Sequence, residues 1–461
     1  SDNPSAPYEL AAKRAVTLYN SGRVADSVAQ ARWVAEGAPN AALATRARYI
    51  LGAGLMNLGD EEGAVRELET ALAQAPAALP SWEPMICAYL CHLAVSGGAL
   101  GVAQRHFDRG VHVAAALDAP LARADLLNAG CRIAEAAGDR TLAIARLEEA
   151  NALSVGVGDV TLRINYLYNL VVVLLNGGDV GAARARRDEV MALVVGKTDP
   201  KVRFIEELST GRVFVCEGEL GRGCRALQTA ADAIAAGGDP NMLRTVLIAH
   251  AHVAADCGDV ESLAALLERL AVIGAHPPGR AVWVEQALHA RLELATGHAA
   301  AAAARMREVF APDKARMSDP DWQENAEFAQ ATLQLALAAS GDVDAARAVP
   351  CSPRFSPRLQ AMAAEAALEI HVAEPSRANA DGENAVAAAR MQLADGRLSP
   401  LESARLWRAL ARFHRRRRAT DAAAEARAEC RRGIDALLAT LPAEVTTFAS
   451  LRASLTSLRE A

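Results

Sequence analysis

Glycine recurs along this chain on a nearly fixed beat. Gly22, Gly59, Gly97, Gly138, Gly178, Gly218, Gly258, Gly297 and Gly341 stand 37 to 44 residues apart, and five of the eight gaps fall within one residue of 40. Five of these glycines precede an aspartate: Asp60, Asp139, Asp179, Asp259 and Asp342. A glycine just past a helix takes the left-handed conformation that closes the last turn without a steric penalty. An aspartate after it accepts from the free N–H groups that open the next helix. The ladder therefore predicts helix, tight turn, helix, many times over. Self-similarity at such a period points to a solenoid, which lengthens by stacking and needs no new core.

The flanks of each turn repeat as well. Leu51, Gly52 and Leu55 precede Gly59, while Ala64, Leu68, Ala71 and Pro76 follow it. Around the later glycines the same places hold Ala143, Leu147 and Ala150; Leu170, Leu174, Ala183 and Val190; and Gly211, Phe214, Leu227 and Ala230. Small residues let two helices approach closely, and large apolar ones fill the space beside them. A C-terminal unit without the glycine keeps the frame as Trp407, Leu410, Ala411, Ala423 and Cys430. Composition agrees: 52% of residues are hydrophobic but only 4% aromatic, with runs such as Ala299 to Ala304. Alanine is the best helix former and a poor strand former. The expected fold is all-α, about ten or eleven helix-turn-helix units wound as an open right-handed superhelix.

Asp199-Pro200, Asp239-Pro240 and Asp319-Pro320 read as helix starts, with Asp as N-cap and Pro in the first turn. Units are expected to begin near residues 7, 41, 79, 119, 159, 200, 240, 279, 319, 357 and 400. About nine of them form an array over residues 1–348. Pro350, Pro353 and Pro357 mark residues 349–357 as a bend, and residues 358–461 hold the C-terminal units. Glu374 to Glu383 reads as a longer loop, and Pro442 to Ala461 as a helix capping the end of the stack. The start at Ser1-Asp2-Asn3, without Met, is expected of an excised or processed chain.

The spacing of Leu51, Gly52, Leu55, Gly59, Ala64, Leu68, Ala71 and Pro76 resembles the tetratricopeptide consensus, and Trp407-x-x-Leu410-Ala411 resembles its start. The period of about 40 exceeds the 34 of the standard unit. Longer units of this kind resemble the helical domains of bacterial signal-transduction ATPases and of maltose-regulator-type activators. The resemblance implies that the first helix of each unit lines a concave groove, at positions 13, 10, 6, 3 and 2 before the turn glycine. Carried onto this sequence, the candidate partner-binding residues are Tyr49, Asn57, Asn128, Arg132, Asn165, Tyr168 and Arg212. Glu9, Tyr19, Asn20, Arg46, Asp125, Glu135, Asn176, His252, Asp256 and Arg291 occupy equivalent positions. Asn offers a donor and an acceptor to an extended backbone. Tyr offers flat contact area at low entropy cost. The lysine-rich clamp of chaperone-binding members is not matched.

Catalytic motifs are missing. Cys87-x-x-x-Cys91-His92 is the most metal-like cluster, yet the cysteines share a helical face that His92 does not, and no second ligand pair is present. His250 and His252 diverge on a helix. Lys197-Thr198 follows Gly196 but lacks the earlier glycine of a phosphate loop. No Gly-x-Ser-x-Gly or His-Glu-x-x-His occurs. The expectation is a protein without catalysis, cofactor or metal.

A net charge of −6 spread along the chain disfavours nucleic acid, and Arg415 to Arg418 reads as a solvated turn. Arg carries nearly all the positive charge, for only Lys13, Lys197, Lys201 and Lys314 are lysines. No apolar stretch is long enough for a membrane span. Eight cysteines without a Cys-x-x-Cys pair fit free thiols in the cytoplasm. The expected function is a non-catalytic scaffold or sensor region of a bacterial regulator that binds a protein or peptide. The alternative is a domain gated by a small effector that controls an ATPase or DNA-binding partner.

Overall fold

The computed structural model describes residues 4–21, 23–197, 199–235, 240–273, 280–310, 324–349, 356–374, 379–442 and 448–460. Among these residues there is no strand. Eleven helix pairs follow one another. Units one to four are α1 (Ala6–Asn20) with α2 (Val24–Gly37), α3 (Ala41–Leu58) with α4 (Glu61–Ala78), α5 (Glu83–Ser96) with α6 (Leu100–Ala116), and α7 (Pro120–Ala136) with α8 (Arg140–Val157). Units five to eight are α9 (Val160–Asn176) with α10 (Val180–Val194), α11 (Pro200–Glu217) with α12 (Leu220–Ala235), α13 (Pro240–Cys257) with α14 (Val260–Ile273), and α15 (Arg280–Ala295) with α16 (Ala299–Phe310). Units nine to eleven are α17 (Glu324–Ala339) with α18 (Val343–Ala348), α19 (Pro357–Ala373) with α20 (Asn379–Asp395), and α21 (Pro400–Arg416) with α22 (Thr420–Ala439). A last helix, α23 (Ala449–Glu460), follows.

The turns form as their chemistry dictates. Gly59, Gly138, Gly178, Gly218, Gly258, Gly297 and Gly341 all sit at φ between 69° and 87°. Asp60 accepts from the Gly63 N–H, Asp139 from Leu142, Asp179 from Ala182, Asp259 from Ser262 and Asp342 from Ala345. In unit three the left-handed residue is Gly98 (φ 80°), not Gly97, which stays right-handed as the C-cap. Gly22 lies outside the described residues.

Within a unit the paired helices touch through their small residues. Ala64, Ala143 and Ala183 have no exposed surface. A Cβ at Gly52 would stand 2.5 Å from Leu68 Cγ, and one at Gly211 2.8 Å from Leu227 Cγ. Between units, first helices stack on first helices, as in α5 on α7, α15 on α17 and α17 on α19. They form the inner wall, with the second helices outside. The stack continues from α17 to α19; residues 350–355 of the proline-rich stretch between them lie outside the described residues. The same holds for residues 375–378 of the expected Glu374–Glu383 loop, whose second half is helical because α20 starts at Asn379. Asp239, Asp319 and Pro320 also fall outside, and the described part of α17 begins at Glu324.

One expectation is overturned. The superhelix is not open. The turn of one unit meets the start of the unit five places later. In units two and seven, the Asn57 carbonyl accepts from Asn241 Nδ2 at 3.0 Å. In units five and ten, a Cβ at Gly178 would lie 3.2 Å from Pro357 Cγ. In units six and eleven, a Cβ at Gly218 would lie 2.9 Å from Pro400 Cγ, and the Gly218 carbonyl accepts from Thr440 Oγ1 at 3.2 Å. The last helix continues this seam, since α23 packs on α13 and α14 as well as on α22, and Ser450 donates to Asp259 at 3.1 Å. It covers the side of unit seven rather than only the end of the array.

Ala143→Leu forces methylenes into the α7–α8 contact and is expected to cost roughly 1–3 kcal/mol in urea denaturation. Ala64→Leu and Ala183→Leu should cost as much. Unchanged midpoints in all three would show that the helix register is misplaced.

Candidate functional site

Contact between successive turns narrows the groove into a half-open cavity of about 570 Å³, within the range that small-ligand sites occupy. The inner helices of units three to eight supply most of the wall; the starts of α19 and α21, Arg397 just before α21, and Arg140, Val180 and Leu227 of outer helices supply the rest. Val172, Leu175, Ile248, Val253, Trp283 and Val284 make it apolar in part. Arg132, Arg140, Arg212, Arg358 and Arg397 face three carboxylates, Glu135, Asp256 and Glu402.

Asp256, on α13, is the hub of this wall. Both of its oxygens are taken by arginines. Arg358 reaches Oδ2 with two nitrogens, at 2.8 and 3.0 Å, and Arg405 bonds Oδ1. Arg291 stands 3.5 Å from Oδ1. Burial by itself would raise the Asp256 pKa, but Arg358, Arg405 and Arg291 outweigh it and hold the carboxyl far below its ordinary range. Arg405 continues to Glu365 on α19. The network ties unit seven to units ten and eleven across the interior. His252, one turn earlier on α13, touches Arg358 through Nδ1 at 3.3 Å and stands edge-on to Phe328. Burial and then the charge of Arg358 lower its pKa to about 3.

Glu402 accepts from the Ser399 backbone N–H at 2.8 Å and lies 3.9 Å from Arg358; burial raises its pKa despite that arginine. Arg140 donates to the Asn176 carbonyl at 3.1 Å, and Arg397 pairs with Asp395. Arg132 is 60% exposed and lies 4.0 Å from Glu135. Arg212 differs from all of these: its Nε is buried without a hydrogen-bond partner.

Of the seven residues singled out by sequence, Arg132 and Arg212 line the cavity. Tyr49 is instead wedged edge-on between Trp82 and Tyr89, with ring centroids 5.1 and 5.3 Å away. Asn57 donates to the Tyr19 hydroxyl at 2.9 Å and takes part in the seam. Asn128 accepts from Asn169 at 2.7 Å, bridging two inner helices. Tyr168 packs against the core of the following units, and Asn165 is half-buried and does not line the cavity. Among the equivalent positions, Glu135, Asn176, His252 and Asp256 do line the cavity. Sequence reasoning missed Arg140, Trp283, Arg358, Arg397 and Glu402. The last three arrive from units ten and eleven, and nothing local signals that. Cys87 and Cys91 are buried in α5, and Cys91 donates to the Ala103 carbonyl. Among the described residues no group of His, Cys, Asp and Glu is arranged to hold a metal. No helix among them is long and apolar enough to cross a membrane.

No protein-family model matches the chain, and no curated protein does. Solved structures do align with it. One is a Rap protein complexed with competence and sporulation factor, at 10% identity over 95% of this chain and 100% of that one, with a TM-score of 0.45. Another is yeast Tom70, at 9% identity over 99% of this chain and 96% of that one, with a TM-score of 0.36. At such scores the architecture rests on this chain's own helix pairs, which are those of a tetratricopeptide-like solenoid.

Two outcomes follow from the hub. Asp256→Asn leaves the buried Arg291 and Arg405 and the partly buried Arg358 short of a counter-charge, a change that typically costs 3–5 kcal/mol; urea denaturation should show a loss of about that size. A loss below about 1 kcal/mol would mean that the network does not hold the turns together. The second concerns pH. Burial, with Arg132 and Arg269 respectively, lowers the His92 and His250 pKa values to about 4. An unfolded histidine takes a proton near pH 6.5, so between there and pH 4 the unfolded state binds more protons and stability falls with acid. Each ring contributes at most about 1.4 kcal/mol per pH unit. Asp256, depressed when folded, adds a further loss at lower pH. Denaturation midpoints should drop from pH 7 to 5, and His250→Gln with His252→Gln should flatten the curve. A slope unchanged by that pair would assign the acid sensitivity to other groups.

Proposed function

We propose that the chain is a non-catalytic binding scaffold that holds a short peptide, or a short segment of a partner protein, in the cavity of its closed superhelix. The cavity carries this reading. It is built by eight units acting together, it mixes aliphatic wall with arginine, and its ion-paired lining is already positioned without a ligand. The repeat of about 40 residues supports placing the chain as the sensor region of a bacterial regulator, acting in the cytoplasm. One observation favours a second reading, a small effector gating a partner domain: the starts of α19 and α21 close over the groove, which leaves less room for an extended chain than an open trough.

The test is selection of a random heptapeptide display library on the immobilised chain. Peptides enriched on the natural sequence should lose at least about tenfold in affinity on Arg132→Ala with Arg212→Ala, a difference of about 1.4 kcal/mol. They should bind normally to Arg415→Ala with Arg416→Ala, where the charges lie at the end of α21 and in no contact with the cavity. Absence of any enriched peptide, or loss on the Arg415/Arg416 variant instead, would refute the peptide reading.

A further inference from the structure

We infer that Arg212 is an oxyanion subsite of the cavity, with Arg132 adding positive charge from the same wall, so that the ligand presents a carboxylate or phosphate group to Arg212 and rests its apolar part on the aliphatic and aromatic lining. The inference deepens the binding role proposed above and rests on it for the existence of a ligand. It has three independent supports.

The first is the charge balance of the cavity. The chain is acidic overall, with a net charge of −6, yet its cavity has five arginines and three carboxylates. The second is how those carboxylates are already used. Asp256 has Arg358, Arg405 and Arg291 around it. Glu402 is held by the Ser399 N–H and lies near Arg358. Among the described residues the carboxylate that meets Arg132 is Glu135, at 4.0 Å, the outer limit of an ion pair. The histidine beside Arg132, His92, is kept neutral by burial and by that same arginine, so it neither neutralises nor competes for an anion.

The third support is Arg212 itself. Among the described residues no carboxylate pairs with it, and its Nε is buried with no acceptor. Arg46, Arg48 and Arg163 also bury an Nε without an acceptor, but they lie outside the cavity, and Arg48 and Arg163 have ion pairs; Arg212 is set apart by lining the cavity with no carboxylate partner among the described residues. Arg212 is flanked on α11 by Val215 and Cys216, both also in the cavity wall. Guanidinium donors suit the oxygens of carboxylate and phosphate, so an oxyanion is the ligand group that supplies the counter-charge Arg212 lacks. The apolar part of the wall fits a molecule with an anionic end and an apolar body, of which a bare anion would reproduce the anionic end alone.

The probes are sodium citrate, inorganic phosphate and sodium chloride, at low millimolar concentration and equal ionic strength, where general salt exclusion from the surface is small. Calorimetric titration and thermal melting should show binding and a rise in Tm with citrate or phosphate and none with chloride. Arg212→Ala should weaken the binding at least tenfold. Arg132→Gln should weaken it several-fold, and because that side chain is 60% exposed the variant keeps the test decisive if Arg212→Ala fails to fold. Equal response to all three salts would overturn the subsite. So would citrate or phosphate binding that both variants retain, which places the anion elsewhere. Peptides selected without acidic residues, from a chain that ignores citrate and phosphate, would overturn the subsite and leave the scaffold. Anion binding without any selected peptide would keep the subsite and pass it to a small carboxylate or phosphate effector.

Discussion

The turn between two helices does two things in this protein, and the second depends on a missing side chain. Gly178 and Gly218 close their helices at positive φ, as any such turn does. They also leave room for Pro357 and Pro400 to press against the turn from five units further on. Two prolines that start helices, and two glycines that end them, thus fix the pitch of the superhelix. Without that contact the inner helices would line an open trough. With it they line a half-open cavity, and the distribution of charge on the inner wall becomes the chemistry of that cavity.

Asp256 reinforces the seam from inside. Removing a carboxylate and three guanidinium groups from water is expensive, and their mutual attraction returns much of that only because the geometry is good. A network of this kind is poor evidence for net stability. Its value lies in specificity: Arg358 and Arg405 find a counter-charge only if units ten and eleven settle over unit seven in this register. A slip by one unit would strand them.

Much of the local structure was legible in the sequence. The turn glycines and their aspartates placed the helix ends, and the small-residue positions placed the buried contacts at Ala64, Ala143 and Ala183. The misassignment at Gly97 arose because Gly97-Gly98 offers two glycines, and only the second takes positive φ. The helical half of the Glu374–Glu383 segment escaped notice because Asn379, Asp381 and Gly382 are turn-forming residues. The candidate site was legible only in part, for a physical reason. Groove positions carried from a repeat pattern assume that every inner face looks the same. Here Tyr49, Asn57 and Asn128 are consumed by contacts between neighbouring units, while Arg358, Arg397 and Glu402 reach the cavity from distant sequence. Periodicity records what a residue does within its own unit and holds no information on which units meet after a full turn.

That seam also alters what kind of object folds. A solenoid with neighbour contacts alone can nucleate in any unit and fray from its ends one unit at a time. Here the hydrogen bonds from Asn241 to Asn57 and from Thr440 to Gly218 close loops of roughly half the chain, an entropic outlay that no single unit can recover. The array therefore gains a late, non-local step, after which units two to eleven protect one another's amides as a block and the ends lose their independence.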